Sequence, residues 1–227
     1  MEAVTPIFSF NIGGFPVNIT EELVIQWVVM LVLGMTAYFL TRNLKRVPDK
    51  KQVALESIYT YVHNLVKDNI GESYMAYVPY VGTLVIYLLA LNLIGVIGIA
   101  PPTRNLSVTL GLGLSSFLVI NGTAIKRNGA WGYTKGLGEP YLLMLPLNIM
   151  ERVVLPVSLA LRLFGNMMAA TILVELVYEK LAGLAWIAQI GLPIVAHGYF
   201  DLFDGTIQML VFTMLTIINI KTTSEHH

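Results

Sequence analysis

Leu23 to Leu40 runs the thickness of a membrane without one charged residue, and uncharged runs of similar length recur at Val78 to Ala100 and Leu106 to Ile125. About 20 such residues cross a hydrocarbon core of about 30 Å, where a helix satisfies all of its own backbone hydrogen bonds. Composition agrees, with 56% hydrophobic and 12% charged residues and a mean hydropathy of +0.69. The chain is therefore expected to be an all-α polytopic membrane protein. Its 227 residues leave no room for a separate soluble domain beside the spans, so positions 1–227 read as one membrane domain. Zero net charge gives nucleic acid no electrostatic foothold, and the lack of cysteine excludes thiol catalysis and thiolate metal sites. No cleavable leader is expected, because Met1 to Phe15 lacks a basic region and a small-residue cleavage pattern.

Charge asymmetry orients the spans. In the first span, 22–41, the uncharged run Leu23 to Leu40 follows Glu21 and Glu22 and precedes the basic run Arg42, Lys45, Arg46, Lys50 and Lys51, which the positive-inside rule places in the cytoplasm. The N-terminus is then outside. Residues 49–70 follow as an amphipathic helix, too polar to span, with Leu55, Ile58, Val62 and Leu65 on its apolar face; it is expected on the cytoplasmic surface. Asp49 and Gln52 have the spacing of a capping box at its start. A hairpin over 78–125 goes outward, turns at Pro101-Pro-Thr-Arg-Asn105, and returns to Lys126, Arg127 and Lys135. Ten of the fourteen basic residues then lie inside.

The last hairpin, 140–221, is longer than a membrane requires. Pro146 to Tyr178 is about 33 residues, or about 50 Å of helix, so one long, strongly tilted helix is expected despite Pro156. Its partner, from about Ala185 to Ile220, carries a candidate irregularity at Gly191-Leu-Pro193. The total is five membrane-crossing helices and one surface helix, with the C-terminus inside.

Within that hairpin, Arg162 interrupts an apolar run, and an arginine near mid-membrane costs about 2.5–3.5 kcal/mol on insertion scales. Such a charge usually serves an ion path. At about 100° per residue, Glu151, Ser158, Arg162 and Asn166 share one helix face, whereas Thr171 and Glu175 point away. On the partner helix His197, Asp201, Asp204 and Gln208 share a direction, so two polar seams are expected to face each other. Glu151 falls toward the cytoplasm, Arg162 and Gln208 near mid-membrane, and Glu175, Asp201, Asp204 and His197 toward the outside. A fixed cation between two sets of acids separates two partial ion paths. Arginine suits this work because its guanidinium stays protonated where a buried lysine can lose its proton.

Simpler readings compete. Arg162 pairing with Asp201 or Asp204 would be a helix staple, Asn166 and Gln208 would be interhelical glue, His197 an interfacial residue, and Glu151 with Arg152 a self-paired couple. Asp201 and Asp204 resist dismissal, because two acids one turn apart are uncommon in a span without use.

The stretch Ser158-Leu-Ala-Leu-Arg-Leu-Phe-Gly-Asn-Met167, followed by Gln208-Met-Leu-Val-Phe-Thr-Met-Leu-Thr216, resembles the subunit a family of F-type ATP synthases in its bacterial-like form. Asn92-Leu-Ile-Gly95 and Pro102-Thr-Arg-Asn-Leu-Ser-Val-Thr109 extend the resemblance over about 70–220. It implies a non-catalytic stator subunit in which Arg162 faces the c-ring carboxylate, with Asn166 beside it and Gln208 as its neighbour. It further implies a half-channel on each side of the membrane, no cofactor, and H+ or Na+ as the translocated ion. The implied partners are the c-ring, the subunit b peripheral stalk and, indirectly, the catalytic head, in a multi-pass cell-membrane setting. Family members often carry an acid nine residues after the arginine and a polar partner seven before the glutamine; here those positions are Thr171 and Asp201. Asp201, Asp204 and Glu175 are therefore candidates for the outer path and Glu151 for the inner one. The alternative is a stand-alone secondary cation/proton transporter, against which stands the lack of an inverted repeat with paired broken helices.

Overall fold

A computed structural model describes residues 8–12, 15–136, 145–181, 195 and 198–225. Five helical stretches are long and apolar enough to cross a membrane: Glu21–Thr41, Glu72–Ile97, Leu106–Gly129, Leu145–Leu181 and Gly198–Glu225. The expected all-helical membrane architecture is thus observed. Ahead of it lies a short antiparallel hairpin, β1 (Phe8–Ile12) and β2 (Phe15–Ile19), that hydropathy did not anticipate.

Helix α1 (Glu21–Thr41) buries none of its side chains and leaves Trp27, Leu31 and Phe39 open, the pattern of a span facing lipid or another subunit. Helix α2 (Lys50–Ile70) differs from expectation in two respects. Asp49 makes no capping hydrogen bond; the Gln52 amide instead donates to the Lys45 carbonyl and accepts from the Lys45 backbone N–H, both at 2.9 Å. Its buried stripe is Val62, Val66 and Ile70, whereas Ile58 is exposed, because only the second half packs on the bundle. Gly71, at φ 93, then turns the chain into α3 (Val78–Leu93) through a 3-10 segment, and Lys67 spans the corner to Glu72 at 2.8 Å.

Helix α3 ends in a 3-10 turn at Ile94–Ile97, and Pro102–Arg104 forms a second such turn before α4 (Leu106–Gly136). Helix α4 kinks at Gly129, whose φ of 72 breaks the helical path after the spanning part. Helix α5 (Leu145–Leu181) is continuous through Pro156 over 37 residues, about 55 Å at 1.5 Å per residue, as expected for the long helix. Glycine permits its close approach to α4: a Cβ on Gly113 would fall 2.6 Å from the Pro156 carbonyl oxygen.

The partner helix is not regular where it was expected to be. Gly198–Asp204 is a π turn leading into α6 (Gly205–Glu225). The candidate irregularity at Gly191-Leu-Pro193, the turn of the long hairpin and His197 lie outside the described residues. Helix α6 packs chiefly against α3 and α4, and α4 also carries most of the packing of α5, so the last two helices meet only locally. The core runs from Val66 and Tyr74 through Leu88 to Leu163, Met167, Phe212 and Ile217.

Candidate polar path at the α5–α6 contact

Arg162 is the eighteenth of the 37 residues of α5 and is exposed. It makes no hydrogen bond or ion pair with any described residue, which removes the helix-staple reading among them. A flanking face of α5, about 60–140° round from Arg162 at 100° per residue and carrying Leu159, Leu163, Met167 and Ala170, is buried in the bundle. Glu151, Ser158 and Arg162 are each exposed, so the described residues leave this stripe largely uncovered. Asn166, one turn on, is half-buried.

The expected facing seams meet at one place. Arg162 and Gln208 line a narrow crevice with Leu159, Leu163 and Phe212. Gln208 is 8% exposed, and its Nε2 donates to Asp204 Oδ1 at 3.4 Å. Asp201 is displaced from this pair. The π turn closes i to i+5 and not i to i+4, so the 100° projection used for the sequence does not hold across Asp201 and Asp204. Asp201, 6% exposed, instead lines a cavity of about 330 Å³ with Thr171, Glu175, Arg104, Tyr178 and the Gly95 and Gly98 backbones.

Two groups that pointed away from the arginine stripe in projection, Thr171 and Glu175, are thus brought together with Asp201. The Thr171 hydroxyl donates to the Met167 carbonyl at 2.9 Å, so it adds a polar oxygen to the wall and no charge. Glu175 pairs with Arg104 at 3.8 Å, with 68% of its side chain still exposed. Thr171 and Glu175 lie nine and thirteen residues beyond Arg162, about 14–20 Å along the helix axis. Asp204 ends the π turn and Gln208 stands on the first turn of α6, beside Arg162. The cavity beside Asp201 and the crevice beside Arg162 are two separate polar places, with Asp204 bonded to Gln208 at the second.

Glu151 stands alone at the other end of α5. Arg152 does not pair with it; its Nη1 donates to Asn121 Oδ1 at 3.2 Å and its guanidinium lies 4.5 Å from the Tyr133 ring centre. Glu151 is exposed and has no partner among the described residues. Residues not singled out as functional from sequence are Arg104, Gly95, Asn92 and Tyr178. Three of these sit inside the quoted stretches Asn92–Gly95 and Pro102–Thr109, which prove to be the structural frame of the cavity.

Fold and site together define a multi-span helical membrane protein with an exposed cation midway along a 37-residue helix and two acids lining a cavity near that helix's end. Residues 23–221 match the sequence model of the ATP synthase A chain. The chain belongs to that family. It is 36% identical over 227 residues to the sodium ion specific ATP synthase subunit a of Propionigenium modestum, covering 93% of this chain and 75% of that protein. It is 35% identical to ATP synthase subunit a 2 of a Bradyrhizobium strain, covering 95% and 92%. Identity to ATP synthase subunit a of Moorella thermoacetica is 33%, with both chains covered in full.

Proposed function

We propose that this chain is the ion-translocating stator subunit of an F-type ATP synthase, with two offset half-channels separated by Arg162. The observation that carries this reading is a mid-span guanidinium that is exposed and unpaired among the described residues. A cation so placed needs an anion from outside the chain, and a carboxylate on a c-ring passing through the membrane supplies it. Bringing that carboxylate within about 4 Å of Arg162 favours its ionised form by about 4 kcal/mol at an effective dielectric of about 20. The ring carboxylate releases its ion there and reloads only from the other side.

The outer path starts at the cavity holding Asp201, Glu175 and Thr171, and continues past Asp204 and Gln208. The inner path leaves by Glu151. The translocated ion is H+ or Na+; the subunit does no bond chemistry and uses no cofactor. One charge crossing 100 mV is worth about 2.3 kcal/mol, so several must pass for each ATP made in the head. Besides the c-ring, subunit b packs alongside, with α1 as an available face. The protein spans the cell membrane with its N-terminus outside and its C-terminus in the cytoplasm.

Replacing Arg162 with alanine in the assembled complex tests the reading. Ion-driven ATP synthesis and ATP-driven pumping are expected to vanish while the subunit still copurifies with the ring. Normal coupled synthesis by Arg162→Ala would refute the assigned role.

A further inference from the structure

Gly95, on the 3-10 turn that ends α3, lies face to face with Asp201. A Cβ placed on Gly95 would fall 2.7 Å from the Asp201 Cγ and 2.9 Å from each carboxylate oxygen. The carboxylate thus occupies the volume that any other residue at position 95 would fill. Backbone conformation does not call for glycine here, since Gly95 is not among the positive-φ glycines; space does.

A second contact holds the two elements in register. Asn92, one turn before Gly95 and 0% exposed, donates its Nδ2 hydrogen to the Gly205 carbonyl at 2.9 Å. Its Oδ1 accepts from the Thr103 hydroxyl at 3.1 Å, which fixes the orientation of the amide. Gly205 is the first residue after the π turn, and a Cβ there would come within 3.0 Å of Asn92 Cβ. Helix α3 therefore grips α6 just past the π turn and leaves an open slot opposite Asp201.

We infer that Gly95 is a positioning residue for the outer ion path: its missing side chain is the seat that holds the Asp201 carboxylate at the cavity wall. The Asn92–Gly205 hydrogen bond is the clamp that keeps the π turn pressed against that seat. This rests on the outer-path reading given above. Gly95 and Asp201 both line the cavity, so a methyl group at 95 pushes the carboxylate out of its place, while the clamp prevents α6 from backing away.

The intrinsic effect of the same change has the opposite sign. Alanine is the better residue in helical backbone, so a purely local role for Gly95 leaves function unaffected or the subunit more stable.

The test uses the whole ATP synthase in liposomes and measures ATP synthesis against the outside ion concentration, with maximal synthesis and ATP hydrolysis measured alongside. Gly95→Ala is expected to raise the half-saturating outside concentration about tenfold, in the range set by overpacking a tight site. Asp201→Ala raises it at least as much, and Gly95→Ala combined with Asp201→Ala behaves as Asp201→Ala alone, because the methyl group then has nothing to displace. An unchanged ion dependence in Gly95→Ala, or a full extra loss when it is added to Asp201→Ala, overturns the seat while leaving the outer path standing. Unchanged ion dependence in Asp201→Ala removes the outer-path reading and the seat with it.

Discussion

Arg104 and Glu175 meet at 3.8 Å across the cavity, tying the turn between α3 and α4 to the far end of α5. The pair is solvent-accessible, with side chains 37% and 68% exposed, so its worth as a stabilising contact is at most about 1 kcal/mol. Its larger effect is on the field met by an arriving cation.

Neutralising the acid, Glu175→Gln, is expected to lower the rate of ion uptake from the outside about two- to fivefold at low salt, and neutralising the base, Arg104→Gln, to raise it. Both effects shrink toward 0.15 M ionic strength, where the screening length is about 8 Å. Initial rates of ion-driven ATP synthesis across a salt series provide the measurement. Equal rates for both variants at every salt concentration would exclude an electrostatic role for the pair.

Asp201→Asn together with Asp204→Asn is expected to slow outside ion uptake more than either change alone, since one acid lines the cavity and the other holds Gln208. Transport by the double variant that matched the parent at every pH and sodium concentration would end the outer-path assignment.

Arg162→Lys is expected to fail as Arg162→Ala does, although it keeps a basic residue. A lysine in a poorly solvated site can lose its proton, and it offers a point charge in place of a planar fork of donors. Because Arg162 has no partner among the described residues, subunit stability in detergent should change by no more than about 0.5 kcal/mol. Thermal unfolding of the purified variant, set beside its coupled activity, separates lost function from lost fold.

Asn92→Leu strands the Thr103 hydroxyl and removes the donor to Gly205, so a cost of about 1–3 kcal/mol is expected from unsatisfied buried groups. Gly113→Val destabilises by a different route, because its side chain runs into the Pro156 carbonyl and forces α4 and α5 apart. Detergent unfolding midpoints that match the parent in both would show that these helix contacts yield without strain.

Glu151→Gln is expected to slow ion exchange on the cytoplasmic side, read as a lower rate of ATP-driven pumping with stability unchanged. Arg152→Gln should act through Asn121 and Tyr133, lowering stability. Pumping by Glu151→Gln at the parent's rate would remove Glu151 from the inner path.

Hydropathy and helical period were enough to read the five spans, the length of α5 and the stripe carrying Glu151, Arg162 and Asn166, because each depends on residues near one another in the chain. The ordered motifs around Arg162 and Gln208 were enough to read the family. The relation between Asp201 and Asp204 was not legible, since a projection at a constant angle cannot register a π turn. Nor could it tell that Glu175 and Thr171, facing away from Arg162, would meet Asp201 in one cavity.

By itself, then, the sequence determined that the chain is a bundle of membrane spans with a permanent cation at mid-span, because insertion energy is set residue by residue along each apolar run. Only the tertiary structure decided that this cation is exposed and unpaired among the described residues, that the acids fall in separate places, and that a glycine makes room for one of them. Those outcomes follow from how α3, α4 and α6 cross and from a local change of helical register, and neither quantity is carried by the periodicity of a single helix.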